Sequence, residues 1–417
     1  MNSDIYYTSY PASASNPLKY MVLFLLWPFL AFITAVFNYS QKDSKKVVYI
    51  FLIYYGLTFV LGDAGVDAER YAAALQDTAE LPFSDFFAIV GGLYTDTTVD
   101  IMQPLVTFVV SRFTTSYHIL FAVWAAIFGF FYLKSINQLH KKYVENPGWN
   151  AFIFMAFFVF VMPITTLGGI RMPLATWIFF LGAYHVIIGR NPRYLILALS
   201  ASLVHWSFIS ANVVLFIYFL AGNRNMIYLP VLAASFILPG LMTPVFESLA
   251  YSLGGPIQDR YEGYANEMYI EGMQESFQGT PWFVTMGSTL CFYFFILAIT
   301  IIQLTDNTLV KDKTQRNLFS FLLLFLSFVN FGKVIPTFGG RFQDTFFLFA
   351  SLYLFLYFLK KPGNRLSYLT LIGLFPMILF AAVMLRVGSV SINAWLFAPG
   401  LGFPLILPGI SIAEFLF

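Results

Sequence analysis

Two arginines in this chain follow closely on a glycine pair, in Gly168-Gly169-Ile170-Arg171-Met172-Pro173 and in Gly339-Gly340-Arg341-Phe342-Gln343-Asp344. In both places the arginine is expected to open a helix that runs into a long apolar segment. A helix N-terminus offers unpaired N–H groups and a partial positive charge, and glycine lets a ligand approach the backbone closely. Pro173 is compatible with a first helical turn. Arginine adds a planar fork of donors matched to phosphate or carboxylate. Two such ends predict a clamp for a phosphate or diphosphate. Pairing with acidic loops or with lipid headgroups is the alternative reading of each arginine.

Three further groups carry chemistry. His205, in Ala201-Ser-Leu-Val-His205-Trp-Ser207, is a candidate general base or hydrogen-bond donor, or else a structural histidine. Asp67, Arg70 and Tyr71 would share one face of a helix beginning near Asp67. There Asp67 either positions or deprotonates a hydroxyl, with Arg70 adding anion contact, or caps the helix. Arg260, Tyr261 and Tyr264 mix a cation with rings whose polar tips suit sugars and membrane interfaces alike. The acids of residues 63–100 lack the oxygen-ligand spacing of a calcium loop, and no metal is expected.

The elements that must position these residues are membrane helices. Of the 417 residues, 59% are hydrophobic and only 11% charged, with mean hydropathy +0.74, far from the balance of a soluble domain. A net charge of +2 gives no basic surface for nucleic acid. The single Cys291 excludes a disulfide framework and a cysteine metal site. Residues 1–17 have no positive n-region, so no removable signal peptide is expected. Apolar runs of spanning length occur at 18–38, 46–62, 116–137, 149–165, 170–189, 226–248, 282–304, 317–335, 341–360 and 366–386. The run 101–113 is too short to cross and reads as a half-helix. Residues 192–221 read as two short helices that enter and return, with His205 at the turn near the outer face. The Pro/Gly-broken tail 390–417 reads either as a last span or as a re-entrant segment.

Most basic residues (Lys42, Lys45, Lys46, Lys134, Lys141, Lys142, Arg190, Arg193, Arg224, Lys311, Lys313, Arg316, Lys360, Lys361 and Arg365) then fall on one side, the cytoplasmic one. The expected fold is one polytopic all-α integral membrane domain over 1–417, with about 12 transmembrane helices and an outside N-terminus. Short broken or re-entrant helices and two larger outer-face loops, 63–100 and 251–281, complete it. The loops are rich in acids and aromatics and are expected to be partly helical caps. Lys19, Arg70, Arg112, Arg171, Arg260, Lys333, Arg341 and Arg386 remain on the outer side. No internal repeat, Walker motif, dinucleotide fingerprint or HExxH is present.

The order of these motifs resembles the EpsG-like, Wzy-type bacterial polysaccharide polymerases. The likeness rests on Asp67-Ala-Glu-Arg70-Tyr71, Arg171-Met-Pro-Leu-Ala175, Ala201-Ser-Leu-Val-His205-Trp-Ser207 and Arg341-Phe-Gln-Asp344-Thr, and it covers about residues 45–360. The resemblance implies a C-type glycosyltransferase-like membrane fold in the bacterial cytoplasmic (inner) membrane with a periplasmic site. It implies joining of undecaprenyl-diphosphate-linked oligosaccharide repeat units, as donor and acceptor, with release of undecaprenyl diphosphate and with no cofactor. Carried onto this sequence, Arg171 and Arg341 hold the donor diphosphate, His205 assists there or at the acceptor, and Asp67 is the available base. Arg70, Tyr71, Arg260, Tyr261, Tyr264 and Asp344 are substrate-binding candidates. Membrane lipid and a chain-length regulator are the further partners. Competing readings are an O-antigen ligase-like transferase, a flippase or transporter of lipid-linked sugars, and a membrane O-acyltransferase. Charges gathered toward the outer ends disfavour the transporter, and an outer-side His205 disfavours the acyltransferase, which would draw a thioester donor from the cytoplasm.

Overall fold

The computed structural model describes residues 16–62, 66–87, 100–266 and 281–416, together with Met268, Glu271, Gly272 and Glu275. The described residues are overwhelmingly helical, and their only β-pairing is an isolated Asn393–Ser411 bridge. Five helices among them are long and apolar enough to cross a membrane: Tyr117–Glu145, Trp149–Gly169, Trp282–Thr305, Phe338–Lys360 and Arg365–Ser389. Shorter apolar helices pack around them. This is a membrane protein.

Proline sets several breaks. The run 18–38 forms two helices, α1 (Pro17–Leu26) and α2 (Pro28–Phe37), because Pro28 holds Trp27 extended. Then follow α3 (Lys42–Leu57), α4 (Val66–Glu80), the short α5 (Met102–Ser111), α6 (Tyr117–Glu145), α7 (Trp149–Val161) and α8 (Arg171–Ile187). The 192–221 segment is a chain reversal of α9 (Tyr194–Val204) and α10 (Phe208–Ala221). Asn212 Nδ2 donates to Ala198 O at 3.0 Å and Ser202 Oγ at 3.2 Å, which ties the two arms side by side.

The expected single helix over 226–248 is divided. It becomes α11 (Asn225–Ile237), a 3₁₀ turn at Pro239–Met242, and α12 (Thr243–Leu253), which leads into α13 (Gly255–Ala265). Pro239 cannot donate a backbone hydrogen bond and disfavours helical geometry at Leu238. The bundle closes with α14 (Trp282–Thr305), α15 (Lys313–Gly332), α16 (Pro336–Lys360) and α17 (Tyr368–Ser389). The tail is not a spanning helix. It has two short helices, α18 (Phe403–Ile406) and α19 (Ile412–Leu416), and folds back so that Gly400 N–H donates to Leu26 O and Tyr54 OH to Leu401 O.

At the centre lies α16, almost wholly buried and, beyond Asp344, largely apolar on every side, as a helix surrounded by other helices must be. Small residues let its neighbours approach one another. A Cβ on Gly182 of α8 would sit 2.5 Å from the backbone nitrogen of Ala198 on α9, the close crossing that glycine permits.

The basic clusters gather at one end of the bundle, where acids pair with them at helix termini. Asp312 accepts from Thr314 N at 3.0 Å and Gln315 N at 3.3 Å, capping α15, and pairs with Lys360. Asp306 pairs with Lys361 and accepts from Tyr357 OH at 3.0 Å. Asn317 donates to Ile187 O, tying α15 to the end of α8.

Of the loop residues singled out in the sequence, Asp63, Tyr94, Asp96, Glu267, Tyr269 and Phe277 lie outside the described residues. The described parts of both loops contain helix, α4 in one and α12–α13 in the other.

Candidate active site

The helices meet at their other end around a cavity of about 410 Å³. Its polar lining residues are Asp67, Arg171, His205, Arg341, Asp344, Thr165 and Thr166. Its apolar lining residues include Phe59 and Val60 after α3, Val161 and Met162 at the end of α7, and Met384 and Val387 of α17.

Asp67 occupies the first turn of α4, where the helix dipole favours a carboxylate. It lies 3.6 Å from Arg70, one turn on, and 3.5 Å from Arg171. Tyr71 is buried, and its hydroxyl accepts from Arg171 Nε at 2.8 Å. Burial pushes the Tyr71 hydroxyl up to about 12, with the neighbouring carboxylates opposing the pull of Arg171. It therefore stands at the site as a neutral phenol. Arg112, at the end of α5, fixes the far end of α4 by donating to Leu81 O at 2.7 Å and to Thr78 O, and it lies over the Phe108 ring. Those carbonyls are the acceptors that a helix C-terminus leaves unpaired. Arg112 thus holds a helix end and is not a lining residue of the cavity.

Arg171 is the first residue of α8, as expected, and follows a 3₁₀ turn over Ile164–Gly169. A Cβ on Gly169 would meet nothing within 4 Å, so this glycine leaves the cavity wall open. Besides Tyr71 and Asp67, the guanidinium donates from Nη1 to Asp100 Oδ2 at 3.0 Å.

Arg341 corrects the expectation of paired helix ends. Its helix begins at Pro336, so Gly339 and Gly340 lie inside α16 and the Arg341 N–H belongs to the helical ladder. Gly339 has a packing cause, because a Cβ there would come within 2.6 Å of the Lys333 backbone, whereas one on Gly340 would meet nothing within 4 Å. Only the side chain of Arg341 faces the cavity, with Asp344 one turn further on. Gln343, between them, donates instead to Ser288 Oγ at 2.7 Å.

His205 ends α9 in an extended conformation and lies at the reversal between the two arms. Its Nδ1 is 3.4 Å from Ser207 Oγ and 3.8 Å from Asp100 Oδ1.

Asp100 is the residue that sequence reasoning missed. It was one acid among many in an acidic loop, yet it is 5% exposed. Its position immediately before the apolar α5 was the available signal, since a charge at the edge of a membrane segment is costly without a partner. Of the other substrate-binding candidates, Arg70 reaches the site through Asp67, and Tyr261 is not a lining residue of the cavity. Burial, with Glu247 and Tyr251 nearby, raises the Tyr261 hydroxyl above its ordinary value. The side chains of Arg260 and Tyr264 lie outside the described residues. Among the described residues no three His, Cys, Asp or Glu side chains are grouped as metal ligands.

Fold and site together define an all-helical membrane protein with a charged cavity at one end of its bundle. Residues 55–395 match the EpsG family, and the chain belongs to that family. No curated protein and no solved structure matches it.

Proposed function

We propose that this protein is a membrane glycosyltransferase, a polysaccharide polymerase. It joins undecaprenyl-diphosphate-linked oligosaccharide repeat units at the periplasmic face of the bacterial cytoplasmic membrane and releases undecaprenyl diphosphate. Membership of the EpsG family supports the polymerase class. The observation that carries the reading is the cavity itself. Arg171, Arg341, His205, Asp67 and Asp344 come from four separate segments of the chain and converge in one cavity that apolar side chains also line. That pairing suits a ligand with an anionic head and a lipid tail.

In this reading Arg171 and Arg341 hold the donor diphosphate and stabilise its charge as the anomeric bond breaks. Arg171 has five N–H groups, three of them directed at Tyr71, Asp100 and Asp67, which leaves two for a ligand. Asp67 and His205 serve the acceptor hydroxyl, and Arg70, Tyr71 and Asp344 support the substrate. The acceptor proton passes to the enzyme as the new glycosidic bond forms, and the diphosphate leaves with the electron pair of the broken bond. The basic end of the bundle is then cytoplasmic, with about 12 crossings, the N-terminus outside, and α9–α10 as an entering and returning pair. A chain-length regulator is a fitting protein partner.

The test is incubation of purified protein with a synthetic undecaprenyl-diphosphate-linked repeat unit, without nucleotide or metal, and separation of products by size. A ladder of lengthening products is expected, and Arg341→Ala should reduce it by on the order of 100-fold. Transfer only to an added lipid A core would support the ligase-like reading instead. No transfer to any acceptor would overturn both.

A further inference from the structure

We infer that Asp100 is the positioning residue of this site: one buried carboxylate sets both the guanidinium of Arg171 and the tautomer of His205. The functional part of the inference rests on the polymerase reading; the structural part does not.

Asp100 itself is not a lining residue of the cavity, whereas Arg171 and His205 both are. It therefore acts through them. Its two oxygens have separate tasks. Oδ2 accepts from Arg171 Nη1 at 3.0 Å, while Tyr71 OH accepts from Arg171 Nε at 2.8 Å. Two partners on different nitrogens fix the plane of the fork as well as its position. Oδ1 accepts from the backbone N–H of Trp206 at 2.9 Å, and the next residue, Ile101, donates its N–H to Leu203 O at 3.0 Å. The chain at 100–101 thus grips the α9–α10 reversal on both sides of His205.

The imidazole is held in that grip with Nδ1 facing two oxygens, Asp100 Oδ1 at 3.8 Å and Ser207 Oγ at 3.4 Å. A carboxylate repels a nitrogen lone pair and attracts an N–H. The neutral ring accordingly carries its proton on Nδ1, which makes Nε2 the acceptor nitrogen. A carboxylate that orients an imidazole and selects its tautomer without touching the substrate is a positioning group.

The experiment uses the full chain in lipid, labelled with ¹⁵N-histidine, with the His205 signal identified by its loss in His205→Gln. Spectra recorded at alkaline pH without substrate should show Nδ1 protonated in the unaltered protein. In Asp100→Asn the tautomer ratio should move toward Nε2–H. Product formation by that variant should fall by about 10- to 100-fold in kcat, with KM for the donor changed less than about threefold. An unaltered protein with Nε2 protonated overturns the inference, and this reading does not depend on the variant folding. A variant that loses activity with an unchanged His205 spectrum also overturns it, because Asp100 would then not set the tautomer of His205. Since the spectra need no substrate, failure of the unaltered protein to polymerise would count against the polymerase reading alone.

Discussion

At the basic end of the bundle, charges are parcelled into pairs that close helix termini. At the cavity end, one guanidinium serves three partners and one carboxylate serves three more. Lys360 pairs with Asp312 and Lys361 with Asp306, each joining the end of α16 to the neighbourhood of α15. Arg171 instead meets Asp67, Tyr71 and Asp100 and still faces open space. The residue types are similar, and the difference lies in what remains unfilled. A paired terminus has done its work once the helix is capped. A shared cation beside a cavity keeps donors in reserve, so its arrangement is costly in folding terms and useful only with a ligand.

Removing Arg171 should break this comparison most severely. Arg171→Ala leaves Asp100 buried without its counter-ion, which costs about 3–5 kcal/mol, and removes the anion fork. Product formation should fall by on the order of 1000-fold, and the thermal unfolding temperature should fall with it. Retention of both would mean that the cavity end is merely another paired terminus. Arg112 gives a sharper, smaller effect because it lies at the cavity end but acts as the capping residues do. Arg112→Ala should loosen α4 and lower activity by about tenfold, with substrate affinity recovered in part by Arg112→Lys. Equal loss in both variants would point to a direct role that its contacts do not suggest.

The smallest effect belongs to the basic end. Burial works against the Asp306 charge, but hydrogen bonds from Lys361, Thr308 and Tyr357 outweigh it and hold the carboxyl at about 2. A carboxyl depressed in the folded state stabilises the protein above its ordinary value of about 3.9. That contribution is lost as pH falls toward about 2. Lys361→Ala should therefore cost up to about 1 kcal/mol near neutrality and flatten the loss of stability between about pH 4 and pH 2. Polymerisation should be unchanged. Thermal unfolding in detergent across that range is the measurement.

Much of the architecture was legible because a bilayer leaves so few choices. Apolar length marked α6, α14 and α17, and its shortfall marked α5 and the α9–α10 reversal. Prolines were legible as breaks where several recur with glycine, as in the tail 390–417. Pro239 lies in an apolar run, which disguised the split of 226–248. The place of Arg171 at a helix start was legible because its glycine pair lies just before that helix. Arg341 was misread because Pro336 starts that helix five residues earlier, and tight α15–α16 packing accounts for the glycine there. Asp100 was illegible for another reason. Its partners lie 71 and 106 residues away along the chain, so no local pattern distinguishes it from its acidic neighbours.

The short arm that carries His205 has one more consequence. α9 has 11 residues, roughly 16 Å of rise, and it starts beside Arg193 at the basic end, against a hydrocarbon thickness of about 30 Å. An arm about half that length stops short of the opposite face, so under the proposed topology the expected place of His205 near the outer face shifts inward.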